Sequence, residues 1–550
     1  VPNLSEAAGW SPGDYIAATP LPGRTRWDHQ VEGFARSHDR GGFYLSMEQR
    51  TGKTQVILDT AAYNFLQKKI DALVIVAMPS GAPRNWVDEI NAGMLPNFIP
   101  KRVLLWDNTK AGFNKKVRLP NGRRKARNLS YAEELANLLA FDGLSIICIN
   151  GESARTDAFT EFMLTRFLKK RKVLLVGDEG TLLMQTPDAA LTKSLYYMSK
   201  HAVMKRVLDG TPNGGEPVPV FTQYRFLGDH YFGTNATVFR AKYCEQEVVK
   251  YGRDAKAFSR TKKDENGRPI YKNLDKMQRI IAPHTYRVLF KDVFKDVPEP
   301  IYQKRYVELT DEQRAHYEKL SVDYELELEA LGKVSVANVL TRYLRLQQLT
   351  SGFWPSSKSA TVCERCLGEG DDCAACDGLG VLESDVPLQR LVPFDRNPKL
   401  LGLAAEFRVS PDPAIIWCRF DQDIADVLQL CRDLGRRPCR YDGKVDDETK
   451  HRNKAGFQAG EFDTFVAKTR SAGRAVNVSA ARWMMYYSSE FGLNQRLQSE
   501  VRAQTGLRTV ATGIVDLIAQ DTKDEDIVRS HRERRKLSDL ILNEHSGKWI

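Results

Sequence analysis

Residues 44–57 read YLSMEQRTGKTQVI. The tail Gly52-Lys53-Thr54 runs straight into an apolar segment, which is how a phosphate-gripping loop ends. A full loop of the form G-x-x-x-x-G-K-[ST] wants glycine at position 47, where this chain has Met47. Three matching letters recur by chance, so context decides. Gly41 and Gly42 lead into the short apolar run FYLSM, and QVILDTAAYNFLQ after Thr54 reads as a helix. Strand, tight loop, helix is the arrangement in which backbone N–H groups and a helix N-terminus surround phosphate oxygens. In such a loop Lys53 reaches the β- and γ-phosphates of a nucleoside triphosphate, Thr54 puts a hydroxyl on Mg²⁺, and Gly52 admits the backbone closely.

Working outward, the second requirement is a carboxylate at the end of a neighbouring buried strand. VLLVGDEG supplies Asp178 after four apolar residues and a glycine, with Glu179 next. Asp178 is suited to holding Mg²⁺, and Glu179 to orienting and deprotonating an attacking water. Further short, continuously apolar runs occur at 72–78, 102–106, 144–149 and 203–208, then at 414–418, 464–468 and 483–487. Runs of that length without alternation predict strands covered on both faces, as in parallel sheets. Two α/β lobes are expected. Between them Thr310 and Gln313 form a capping-box signal ahead of a helix over 311–331, and 334–352 reads as a second helix ending at glycine.

The segment CERCLGEGDDCAACDGLG (363–380) carries two C-x-x-C pairs, Cys363 with Cys366 and Cys373 with Cys376. Two such pairs suit a tetrahedral Zn²⁺; two disulfides are the alternative, which a reducing compartment disfavours. Four thiolates would leave the metal no open position, so a structural role is expected. Residues 361–386 hold seven acidic residues against Arg365 alone, which points to bracing or a protein partner rather than a DNA backbone. The other five of the nine cysteines are scattered.

The net charge is +11 over 550 residues, and the excess is concentrated. NKKVRLPNGRRKARN (114–128) holds seven Lys or Arg and no acid. Lys115, Lys116, Arg123 and Arg124 flank a Pro-Asn-Gly turn there, a candidate second DNA contact or a solvated loop. No apolar run approaches the roughly 18 residues a membrane span needs, so no membrane partner is expected. The start lacks the pattern of a signal peptide. A cytoplasmic protein is expected, of a bacterium or a phage-infected host, with the nucleus left open.

GKT, then DEGT at 178–181, then LDGTP at 208–212, resembles motifs I, II and III of superfamily-two helicases. More narrowly the chain resembles the Snf-type (switch/sucrose-non-fermenting) DNA translocases of the shorter prokaryotic or phage-encoded kind. In that family the leading glycine is routinely absent and the cradle is formed by positions matching Arg50, Thr51, Gly52, Lys53 and Thr54. WDHQ (27–30) matches the segment that reads adenine, through Gln30. MPSGAPRNWVDEI (78–90) resembles motif Ia, ICINGES (147–153) motif Ib, IIWCRF (415–420) motif IV, TRSAGRAVNVSAA (469–481) motif V, and QSEVRAQTGLR (498–508) motif VI. VDLIAQDTKDEDI (515–527) resembles the strand and turn that follow.

The resemblance implies two RecA-like parallel-sheet lobes with a helical insertion and a small four-cysteine zinc module between them. The expected divisions are a first lobe over 1–230, a mainly helical insertion over 231–355, the zinc insert over 356–390 and a second lobe over 391–550. ATP and Mg²⁺ are implied between the lobes, with Lys53, Asp178, Glu179 and Arg502 catalytic and Gly473 and Gln498 also touching nucleotide. Duplex DNA is the implied partner, held largely independently of sequence by Pro79, Asn85, Asn150, Thr211, Arg419, Thr469 and Asn477. One departure matters. The family's motif VI carries two arginines three apart; here the second position is Thr505, with Arg508 near enough in sequence to substitute. A nucleotide-gated scaffold with weak hydrolysis and a strand-separating or branch-migrating helicase are therefore the alternatives to a duplex translocase. Trp86 is open between core and DNA contact, Trp417 is expected in the core, and His29 is expected to pack.

Overall fold

Thirteen strands carry the two sheets that position the site, and all pair in parallel. In the first sheet these are β1 (Gly42–Met47), β2 (Ala72–Ala77), β3 (Lys101–Leu105), β4 (Leu144–Asn150), β5 (Val173–Asp178), β6 (Met204–Asp209) and β7 (Thr285–Val288). Their order is β3-β4-β2-β5-β6-β1-β7. The second sheet comprises β8 (Ile301–Val307), β9 (Ala414–Cys418), β10 (Pro438–Tyr441), β11 (Thr464–Lys468), β12 (Trp483–Tyr486) and β13 (Gly513–Ala519), in the order β8-β13-β12-β9-β11-β10. The computed structural model describes residues 7, 9–78, 82–106, 129–210, 217–249, 258–262, 270–331, 344–355, 360–362, 381–383, 388–469, 478–490, 493–503 and 508–532.

The chain forms two units, one built mainly on Val1–Glu247 and Thr261–Val293, the other mainly on Phe294–Leu537. Central strands are buried throughout: β2 and β9 expose none of their residues, which is why they read as unbroken apolar runs. Each sheet has apolar cores on both faces. Val74, Val76 and Leu175 point to one side of the first sheet, while Leu73, Ile75 and Val176 point to the other. Trp417 is fully buried in the second sheet's core, as expected.

The helices that matter for the site are α1 (Asp28–Ser37), α2 (Lys53–Leu66), α3 (Ala82–Glu89), α4 (Asp311–Leu331), α5 (Pro398–Val409), α6 (Asp421–Asp433) and α7 (Leu493–Glu500). The capping box ahead of α4 forms: the Gln313 amide donates to the Thr310 hydroxyl oxygen and the Thr310 amide to Gln313 Oε1, each at 3.2 Å.

The sheets reach further into the middle of the chain than the sequence suggests. The first lobe is expected to end at 230, yet β7 joins its sheet beside β1; β8, within the expected insertion 231–355, forms an edge of the second sheet. Both are edge strands. β8 is exposed or half-exposed along its whole length, so it lacks the apolar run that marks a covered strand. The five cysteines outside the expected zinc insert are buried thiols. Among the described residues no helix is long and apolar enough to cross a membrane. Cys363, Cys366, Cys373 and Cys376 lie outside the described residues, as do Lys115, Lys116, Arg123 and Arg124.

Candidate nucleotide site

The loop after β1 explains why Met47 need not be glycine. Met47 is the fully buried last residue of the strand, and its carbonyl accepts a hydrogen bond from Lys53 Nζ at 2.9 Å. The Glu48 carbonyl takes the Thr51 amide at 3.3 Å and the Thr51 hydroxyl at 2.7 Å, which closes a turn. Thr51 is thereby buried inside the loop that it shapes. Arg50 and Gly52 adopt left-handed backbone, with φ of +66° and +83°. At Gly52 a side chain would meet two penalties. The left-handed region costs other residues about 1–2 kcal/mol, and a Cβ would stand 2.0 Å from Gln30 Nε2. The helix α2 begins at Lys53 immediately after this turn, so its first N–H groups open onto the loop.

Helix α1 braces the loop from the other side. His29 Nε2 lies 2.7 Å from the Thr51 carbonyl, so this residue latches the loop rather than merely packing. Burial lowers the imidazole's pKa, with the Thr51 contact opposing. Gln30 Nε2 donates to the Gly52 carbonyl at 3.2 Å, and its Oε1 accepts from the Trp27 amide at 2.9 Å. Around these groups lies a cavity of about 620 Å³, lined among others by Arg24, Trp27, Gln30, Arg50, Lys53 and Thr54. Its three cationic side chains and its size suit a triphosphate-bearing ligand.

Asp178 closes β5, two strands from β1, with β6 between. Its Oδ2 accepts from Trp86 Nε1 at 2.9 Å. Burial raises the carboxyl's pKa, and the nearby Lys53 charge and the Trp86 bond pull it back only in part. Glu179 is left-handed (φ +60°) and starts the turn that follows. Asp209, ending β6, accepts the Thr181 amide at 2.6 Å and so ties that turn to the neighbouring strand. Glu89 lines the same cavity as Thr54, and burial raises its carboxyl above the usual range, with Thr54 opposing. A hydroxyl and a carboxylate are the hard oxygen donors Mg²⁺ takes, so Thr54 and Asp178 fit the cation expected of them.

Trp86 and Glu89 were not assigned to this site by the sequence. Their spacing of three along α3 was the available signal, because it places them on one helix face. Trp86 is 3% exposed, which resolves it as interior. Asn85 on the same helix is exposed.

The second unit holds its polar side chains differently. Arg419 is bonded to the Gln347 side chain, with its amide donating to Ser488 Oγ at 2.7 Å. Thr469 is 3% exposed and donates to Glu490 at 2.7 Å, so it offers no surface to a phosphate here. Gln498 is buried on α7, and Arg502 is half-buried just beyond it. In the first unit Asn150 caps the short helix after β4, its side chain accepting the Ser153 amide at 2.7 Å. Arg508 is 8% exposed, with its guanidinium bonded to the Ser479 and Ala481 carbonyls and to Thr512. Its guanidinium is thus engaged in holding a loop together. Pro79, Thr211, Gly473, Asn477 and Thr505 lie outside the described residues.

Two parallel sheets with apolar cores on both faces, one carrying the Lys53–Thr54 loop and Asp178 at its strand ends, fit a pair of RecA-like lobes. Residues 398–504 match the family described as "Helicase conserved C-terminal domain". The chain is similar, more particularly, to Snf2-type superfamily-two helicases and translocases. It is 24% identical over 365 residues to a SWI/SNF-related matrix-associated actin-dependent regulator of chromatin subfamily A-like protein 1 homolog of Caenorhabditis elegans, covering 65% of this chain and 44% of that one. It is 21% identical over 348 residues to the putative ATP-dependent helicase/translocase YwqA of Bacillus subtilis, covering 62% and 33%. The chain thus spans less than half the length of these curated relatives. The Sulfolobus solfataricus SWI2/SNF2 ATPase core in complex with dsDNA aligns over 96% of this chain and 95% of its own, at 15% identity and a TM-score of 0.37.

Proposed function

We propose that the chain is an ATP-dependent DNA motor of the Snf2 type, which moves along duplex DNA by gripping the phosphate backbone. The observation that carries this reading is the Lys53–Thr54 cradle and the Asp178–Glu179 pair at the same end of one parallel sheet, a single strand apart. Lys53 and the first amides of α2 bind the phosphates, Thr54 and Asp178 hold Mg²⁺, and Glu179 orients and deprotonates the attacking water. The cation, when bound, offsets charge on the phosphate oxygens. Arg502, which matches the family's motif VI arginine, is assigned by that resemblance to neutralise charge on the γ-phosphate. The names of the relatives, a chromatin regulator and a helicase/translocase, support the same activity here.

The test is ATP turnover with and without duplex DNA, using Lys53→Ala as the blank. Stimulation by duplex that vanishes in the variant is expected; turnover indifferent to DNA sinks the motor reading. The bonds of Arg508 favour a second reading, a nucleotide-gated scaffold with weak hydrolysis, since they engage the residue that the sequence offers in place of a second motif VI arginine. Binding of duplex under ATP with negligible turnover identifies that case. A triplex-displacement assay beside a forked-substrate assay separates duplex translocation from strand separation or branch migration.

The cysteine insert belongs to the same proposal: Cys363, Cys366, Cys373 and Cys376 hold a structural Zn²⁺, and the acidic surround takes a protein partner. Zinc content after removal of loosely held metal, in the chain and in Cys363→Ser, decides it. The cytoplasm of a bacterium or a phage-infected cell is the proposed setting.

A further inference from the structure

One short helix stands beside both residues expected to hold the cation. Trp86 Nε1 donates to Asp178 Oδ2 at 2.9 Å, across 92 positions of sequence. Glu89, one turn later, lines the same cavity as Thr54. A second tie follows just beyond the helix, where Gln55 Nε2 donates to the Met94 carbonyl at 3.2 Å. Helix α3 is therefore fastened to the carboxylate strand at Trp86, and the segment that follows it to the start of α2 at Met94.

We infer that Trp86 and Glu89 are positioning residues for the divalent cation, setting Asp178 and Thr54 in the arrangement that receives it. Chemistry supports this for each residue. A carboxylate beside Thr54 can take its hydroxyl proton, which makes that oxygen a better donor while its lone pairs stay available. An indole N–H on one carboxylate oxygen fixes the rotation of the group and favours its ionised form. Trp86 is 3% exposed, and Glu89 lines the cavity beside Thr54. Neither residue is needed by the proposed hydrolysis itself, so their contribution separates from that of Lys53 or Glu179. The inference rests on the proposed nucleotide reading and deepens it by naming what organises the cation end.

The experiment measures binding of a fluorescent ATP analogue against Mg²⁺ concentration, and again in EDTA, for the whole chain and for Trp86→Phe, Glu89→Ala and Glu89→Gln. Partners behind metal ligands typically govern affinity by about 10–100-fold. The Mg²⁺ concentration for half-maximal binding is expected to rise about tenfold or more in Trp86→Phe and Glu89→Ala, with binding in EDTA unchanged. Glu89→Gln, whose amide oxygen can also accept the Thr54 proton, is expected to recover most of the loss. Equal Mg²⁺ dependence in all chains overturns the inference, as does an equal loss of binding in Mg²⁺ and EDTA, which marks damage to the pocket. A failure of Glu89→Gln to improve on Glu89→Ala overturns it for Glu89. If the parent chain binds nucleotide without regard to Mg²⁺, the nucleotide reading itself falls; only a parent that responds puts Trp86 and Glu89 on trial.

Discussion

The two sheets are alike in direction and layering but use the ends of their strands in opposite ways. In the first, Lys53 and Glu89 line the cavity beside α2 and Asp178 lies within reach of the Lys53 charge, and burial raises both carboxyls. In the second, the polar residues at corresponding ends are bonded to one another. Arg419 goes to Gln347, Thr469 to Glu490, and Ser488 to Asp423. A parallel sheet offers a site wherever its strand ends and loops diverge. What fills that opening decides whether the unit binds ligand or holds its own frame.

The sharpest way to break the contrast is to compare two arginines of the second unit. Arg502→Ala is expected to lower DNA-stimulated turnover by about 10³-fold per folded molecule. Arg508→Ala is expected to lower stability instead. Removing charged hydrogen bonds to the Ser479 and Ala481 carbonyls costs about 1.5–3 kcal/mol of stability, while turnover per folded molecule holds. Urea unfolding beside steady-state kinetics checks both, and a turnover loss in Arg508→Ala would return that residue to the chemistry.

A smaller effect probes the second unit's internal network through pH. Burial pushes the Asp423 carboxyl up to about 7, with the Ser488 hydroxyl and the Lys399 charge opposing. Because the folded value lies above the ordinary 3.8, the folded chain holds this proton where the unfolded chain has lost it. The associated stability is full below 3.8 and is lost as pH rises through about 7. The slope reaches about 1.4 kcal/mol per pH unit. Asp423→Asn is expected to flatten the pH dependence of denaturant unfolding across that window; an unchanged slope would assign it elsewhere.

The smallest expected effect lies in the first unit. Gly52→Ala is expected to weaken nucleotide binding about tenfold, from strain of the order of 1–2 kcal/mol at a left-handed position. Titration with the fluorescent analogue checks it. Wild-type affinity would mean that the loop relaxes around Gln30.

Much of this was legible in the sequence, for a physical reason. Covered strands such as Ala72–Ala77 and Ala414–Cys418 are apolar without a break because helices lie on both of their faces. Within the two large sheets, the strands that were not legible, Thr285–Val288, Ile301–Val307 and Pro438–Tyr441, are all edges. The loop around Lys53 announced itself through glycine, since a left-handed turn leaves a letter. Trp86 against Asp178 left none: a contact 92 positions apart is made by folding, and both residues have ordinary local reasons to be where they are.

Gln30 carries one last consequence. Both ends of its amide are already committed, one to the Trp27 backbone and the other to the carbonyl of Gly52. The amide keeps a second Nε2 proton and a second Oε1 lone pair, so a base could bond this side chain while it stays tied to the peptide next to Lys53. A base held there would then be joined through one amide to the turn that receives the phosphates, and the two ends of the ligand would share a single brace.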